Sequence, residues 1–119
     1  MSTPHPTEVR WLEDDAVLRV TFSDDVVREY PAAFLRGFCP CARCQGHGAG
    51  PATYCVPQGA AATRVEDVTP VGNYAMCIVW GDGHDTGIYS FSLLREMDPS
   101  GFDPASAREG DEMPRAEAP

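Results

Sequence analysis

Between Gly72 and Gly81 the chain reads NYAMCIVW, a run in which every residue after Asn73 is apolar. A strand with one wet face alternates apolar with polar, so a run of this kind has to be covered on both faces. Its Val, Ile, Tyr and Trp suit extended backbone. Residues 73–80 are therefore expected to form a central strand, and the flanking segments must supply its neighbours. "GDGHDTG" follows and "IYSF" then returns, with Asp82-Gly83 suited to a tight hairpin turn because Gly accepts a positive φ. "TRVEDVTPVG" before the run also reads as extended, and "SFSLLREM" after it as a closing helix capped by Ser90 or Ser92.

The N-terminal half carries a different pattern. Leu18, Val20 and Phe22 alternate with Arg19 and Thr21, the period of a strand with one buried face. "EDDA" and "SDD" divide EVRWLEDDAVLRVTFSDDVVREYP into strands near 8–13, 16–22 and 26–30. Pro31 suits a first helical position, and Phe34, Leu35 and Phe38 share one face, so PAAFLRGF is expected to be a short helix that Gly37 ends. The stretch from Cys39 to Ala62 is rich in Gly, Pro and Ala and is expected to be an irregular loop.

At 119 residues the chain has room for one core. The expected fold class is α+β: a small, mainly antiparallel β-sheet domain over residues 8–97, with one or two short helices. Residues 1–7 are expected to be a flexible N-terminus. Residues 98–119 mix Pro, Gly, Ala and acids, and are expected to be a disordered acidic, Pro-rich tail that folding does not need.

Charge narrows the partners. Nine Arg and no Lys stand against 18 Asp and Glu, a formal net charge of −9. Acidity of that size repels phosphate backbones and anionic lipid, and no stretch concentrates Arg beside aromatics, so nucleic acid and membrane are excluded as partners. No apolar run approaches spanning length. "MSTPHPTEVR" lacks the basic-then-apolar pattern of a secretory signal, so a cytoplasmic location is expected. There, closely spaced cysteines are metal ligands or redox groups more often than structural disulfides.

Three of the five cysteines, Cys39, Cys41 and Cys44, fall within GFCPCARCQGHG. Cys41 and Cys44 form a C-x2-C pair, whose spacing lets one turn of backbone aim both sulfurs at one point. Cys39 would stand about 7 Å from Cys41 along a straight strand, so the chain has to bend, and Pro40 helps it do so. Three thiolates do not close a tetrahedral structural zinc site. A histidine would supply the fourth ligand, and the chain has His5 in the lead-in, His47 beside the cluster and His84 after the hairpin turn. Spacing does not choose between His47 and His84. Two other uses of the thiols stay open on counting: a redox dithiol of Cys41 and Cys44, or an iron–sulfur cluster that recruits Cys55. Cys77 and Cys55 otherwise read as small core residues, and Tyr74, Trp80, Tyr89 and Phe91 as core and cross-strand packing.

LRGFCPCARCQGHG, together with VGNYAMCIVWGDGHDTGIYSFSLLRE, resembles the gamma-butyrobetaine hydroxylase-like N-terminal domain family, small bacterial domains of the DUF971 type. The likeness covers roughly residues 8–97. Its most specific part is V-G-N-Y-A followed by D-G-H-D-T-G-x-Y-S-F. The same domain forms the N-terminal part of carnitine-pathway dioxygenases, where a C-x-C-x2-C cluster and the His of the D-G-H segment hold zinc. The resemblance thus implies Cys39, Cys41, Cys44 and His84 as ligands of one structural Zn2+, which would tie the loop to the hairpin tip.

The dioxygenase iron site itself takes His-x-Asp with a distant His. Here Asp85 follows His84 directly and no His lies downstream, so no enzyme activity is expected. What the resemblance implies is a non-catalytic, zinc-binding accessory and protein-interaction domain. Because the domain also occurs joined to Mrp-type iron–sulfur carrier ATPases, the implied partner is such a protein and the implied context iron–sulfur assembly. The alternative is a thiol redox or metal-carrier protein that uses the cysteine cluster directly.

Overall fold

The alternation around Leu18 becomes the middle of a three-stranded antiparallel sheet. The structure, a computed structural model, describes residues 4–40, 53–85 and 87–115. Strands β1 (Pro6–Leu12), β2 (Val17–Phe22) and β3 (Val27–Pro31) lie in the order β1-β2-β3. Leu18, Val20 and Phe22 are buried, while Arg19 and Thr21 between them are half-buried on the other face. Arg19 uses that face to reach its register partner Glu29, with Nε donating to Oε2 at 2.9 Å. Strand β1 begins at Pro6, inside the segment expected to be flexible. The reason is local: the His5 amide donates to Ser23 Oγ and the Ser23 amide to the His5 carbonyl, which ties the lead-in to the turn after β2.

Helix α1 (Ala32–Gly37) follows, with Pro31 as its N-cap rather than its first residue. Phe34 and Leu35 of the helix, and Phe38 just beyond it, are all buried. Phe34 and Phe38 meet edge to face, with centroids 5.1 Å apart.

A short 3-10 turn at Ala60–Thr63 leads into the second sheet, of β4 (Val65–Val71), β5 (Ala75–Trp80) and β6 (Gly87–Ser90). Its order is β4-β5-β6, so the apolar run is the central strand, as expected. Its second face is less covered than the sequence suggests. Met76, Ile78 and Trp80 point into the core, and the period of two turns Cys77 and Val79 outward. Ile88, the register partner of Cys77, is 47% exposed, and Tyr74, in the turn between β4 and β5, is 60% exposed. Cys77 and Tyr74 are therefore not core residues, whereas Trp80 and Tyr89 are.

Helix α2 (Phe91–Glu96) closes the body, with Ser90 Oγ accepting from the Leu93 amide at 3.0 Å. Two tyrosines join the helices to the sheets. Tyr30 Oη on β3 donates to the Leu94 carbonyl of α2 at 2.6 Å, and Tyr89 Oη on β6 donates to the Leu35 carbonyl of α1. Two small antiparallel sheets and two short helices around one core make the α+β domain that the sequence implies. No helix among the described residues is long and apolar enough to cross a membrane.

Residues 98–115 differ from the expectation of a disordered tail. They form a strap on the body: Tyr54 N donates to the Asp111 carbonyl at 2.7 Å, Gly110 N to the Tyr54 carbonyl at 2.8 Å, and Asp98 N to the Pro114 carbonyl at 3.0 Å. Met113 is buried in the core. The Phe102 ring lies 5.2 Å from that of Phe34 and 5.8 Å from that of Tyr54. Few apolar residues suffice here because the body offers an aromatic surface ready to receive them, and composition cannot register that surface.

Candidate metal centre

Helix α1 ends by delivering Cys39 into the core. Phe38 is the C-cap, and the Cys39 amide donates to the Arg36 carbonyl at 3.2 Å, so the chain is still turning as it leaves the helix. The Cys39 side chain is 0% exposed. From the other side comes the turn after β5. Gly83 there has φ +89°, the left-handed backbone expected of the Asp82-Gly83 turn. The Gly83 amide donates to the Trp80 carbonyl, and the Trp80 amide to the His84 carbonyl, both at 2.9 Å. This turns His84 inward, where it is 8% exposed.

The two residues meet. Cys39 Sγ and His84 Nε2 are 3.4 Å apart, although 45 residues separate them in the chain. Gly87 makes space for the sulfur: a Cβ there would stand 2.9 Å from Cys39 Sγ, so no larger residue fits without moving the thiol.

Two residues not singled out as functional in the sequence hold the pair from outside. Asp82 Oδ1 accepts from Arg36 Nη1 at 2.9 Å and from the His84 amide at 3.1 Å. Arg36 also donates to the Ala62 carbonyl at 3.1 Å and lies over the Trp80 ring. The Arg36 hydrogen bond is the main reason the Asp82 carboxyl sits below its ordinary pKa; partial burial opposes that shift, and the His84 amide adds to it. Arg36 was legible only as a polar residue in the last turn of a short helix, and Asp82 only as a turn former.

Of the four implied zinc ligands, the structure brings Cys39 and His84 together. Cys41 and Cys44, and the rival ligand His47, lie outside the described residues. Among the described residues no group of three or more His, Cys, Asp or Glu side chains is arranged to hold a metal. Cys77 belongs elsewhere. On the outer face its thiol donates to the Asp85 carbonyl at 3.2 Å, and burial, helped by the Asp85 charge, pushes its pKa up. Cys55 is half-buried, its amide donating to the Gly37 carbonyl at 2.8 Å.

The gamma-butyrobetaine hydroxylase-like N-terminal family model matches residues 9–95, from the middle of β1 to the last turn of α2. The chain belongs to this family. A crystal structure of a DUF971-family protein of unknown function from Acidithiobacillus ferrooxidans is 30% identical, with a TM-score of 0.54. The match covers 76% of this chain and 88% of that one. A solution NMR structure of another protein, 26% identical, has a TM-score of 0.64 and matches over 98% of this chain and 93% of its own. A second NMR structure is 28% identical, with a TM-score of 0.54 and coverage of 78% and 71%. No curated protein matches. The hydroxylase-like family model ends at residue 95, so the strap lies beyond it, whereas the first NMR structure matches nearly the whole chain.

Proposed function

We propose that this member of the hydroxylase-like N-terminal family is a non-catalytic, zinc-binding accessory domain that acts through protein contacts. Cys39, Cys41, Cys44 and His84 would hold one structural Zn2+. The observation that carries the reading is the buried 3.4 Å approach of Cys39 Sγ to His84 Nε2. Zinc–sulfur and zinc–nitrogen bonds of about 2.3 and 2.05 Å at a tetrahedral angle put the two donor atoms about 3.6 Å apart, so the pair fits one metal. The donor types fit as well, since thiolate with imidazole is an accepted structural set. Zinc with four protein ligands keeps no open position for substrate, so its contribution is to join the end of α1 to the turn after β5.

The dithiol of Cys41 and Cys44 lies outside the described residues; the Cys39–His84 contact would suit only a different redox use, a single imidazole-paired thiol at Cys39. Against it stands the burial of Cys39, because a thiol that exchanges with soluble partners has to be reached. The partner proposed is a protein, an Mrp-type iron–sulfur carrier ATPase in the cytoplasm, by analogy with domain fusions.

Elemental analysis of the purified protein tests the site. About one zinc per chain is expected, kept by His47→Ala and lost by His84→Ala. The opposite pattern would move the site to the local Cys–His47 segment. Thiols that react with alkylating reagents at the same rate before and after chelation would favour the redox alternative. A pull-down with the carrier ATPase tests the partner.

A further inference from the structure

We propose that the Arg36–Asp82 ion pair is a positioning device that holds the His84 imidazole against the Cys39 thiol before any metal arrives; this rests on the metal-site reading above. Four contacts close a ring. The Cys39 amide is bonded to the carbonyl of Arg36, the Arg36 guanidinium to the Asp82 carboxylate, Asp82 Oδ1 to the His84 amide, and His84 Nε2 approaches Cys39 Sγ. One ion pair therefore fixes the backbone on both sides of the candidate site.

The pair is not an ordinary surface bridge. Its side chains are 14% and 31% exposed, and it joins residues 46 apart in sequence. Arg64–Glu66, by contrast, links residues two apart and is about half exposed on both sides. Bridges of that exposed kind contribute little, because solvent screens them and both side chains lose freedom. Arg36 has fewer alternatives. The Ala62 carbonyl and the Trp80 ring hold its guanidinium in place, so it meets Asp82 already oriented. Asp82 then serves both neighbours with a single oxygen, so its removal unties the turn from α1 and frees the amide that aims His84. Outer-shell partners of metal ligands act in this way, by fixing where a ligand points rather than by touching the metal.

The test compares the full-length wild type with Arg36→Met, Asp82→Ala, Asp82→Asn and a control, Arg19→Gln, which breaks an ion pair on the first sheet. Zinc affinity is read by competition with a chromogenic chelator. Cobalt(II) absorption reports the nitrogen and sulfur donors, and a melt reports the fold. Arg36→Met and Asp82→Ala are expected to bind zinc about 10- to 100-fold more weakly, with altered cobalt bands. Asp82→Asn, which keeps one acceptor oxygen, should lose less, and Arg19→Gln nothing. Unchanged affinity and bands in Asp82→Ala and Arg36→Met would overturn the proposal. If Arg36→Met fails to fold, the two Asp82 variants decide.

A metal-free arm separates this inference from the site reading. If the wild type takes up neither zinc nor cobalt, the site reading fails alone. The positioning role is then read from alkylation of Cys39 by iodoacetamide, mapped by mass spectrometry. Asp82→Ala should expose Cys39 and speed its modification several-fold over wild type, and equal rates would sink the proposal.

Discussion

Leu18, Val20 and Phe22 on β2 reach the core through apolar contact alone, whereas His84, in the turn after β5, is fixed by hydrogen bonds and an ion pair. Apolar burial has no preferred direction and follows area, so β2 accepts another apolar residue of similar volume. The turn has no such latitude. Each contact there needs a particular donor or acceptor at a particular place, and a change of atom type breaks it. Stability should therefore reside mainly in the sheets and metal-binding capacity mainly in the turn, and mutation should separate the two.

The strongest challenge to that separation is Leu18→Ala. It removes a fully buried side chain where β2 is paired on both sides, and should cost about 2–5 kcal/mol, enough to threaten a small domain. Urea unfolding measures the loss. Zinc affinity of the fraction that stays folded should match wild type, and a parallel loss of affinity would show that sheet and turn are not separable. Ending the chain after Met97 comes next. The sequence alone implies that such a truncation is silent. The packing of Met113 and Phe102 instead implies a loss of about 1–3 kcal/mol, with the aromatic surface of Phe34, Phe38 and Tyr54 uncovered. A melting temperature equal to that of the full chain would return the strap to the status of a tail.

The same contrast explains what the sequence could and could not disclose. Strands β2 and β5 and helix α1 were legible because period and turn residues are local signals, and local signals decided those elements. The exposure of Tyr74 and Cys77 was not, since it depends on what covers the outer face of the second sheet. Nor was the strap, because Phe102 and Met113 acquire meaning only from the rings they meet. At the candidate site, spacing did not choose between His47 and His84, and only the family resemblance of the D-G-H segment pointed to His84. Arg36 and Asp82 became partners only when the fold brought together residues 46 apart in sequence. Gly87 was equally silent, since its need to be small arises from the sulfur beside it.

Chelation probes the turn side of the comparison. Metal that binds only the folded site adds its free energy to folding, yet most of this domain's apolar core lies outside the site and shares only Cys39 with it. A chelator is expected to lower the melting temperature by a few degrees, within the range that about 1 kcal/mol produces in a domain of this size. Amide exchange should quicken in residues 37–39 and 81–85, while residues 75–79 stay protected. Uniform loss of protection would mean that metal holds the whole fold together.

Acid should produce the smallest effect, and the strap is one of the places where it acts. Ser100 donates to Asp98 Oδ1 through both its hydroxyl, at 2.7 Å, and its amide, at 3.1 Å. These bonds hold the Asp98 carboxyl below its ordinary value of 3.8, with Arg28 assisting and burial opposing. A carboxyl whose folded pKa is lowered binds fewer protons folded than unfolded. Its contribution is therefore complete above the ordinary value and is lost as pH falls through the lower, folded one. The start of the strap should loosen below pH 3.8 while the sheets persist, seen as a change in the Met113 methyl resonance before the Leu18 methyls respond. Asp98→Asn should blunt that acid step. If it does not, the step belongs to another carboxylate that the fold holds low, Asp24 through its hydrogen bond from Arg95 or Asp82 through its hydrogen bond from Arg36.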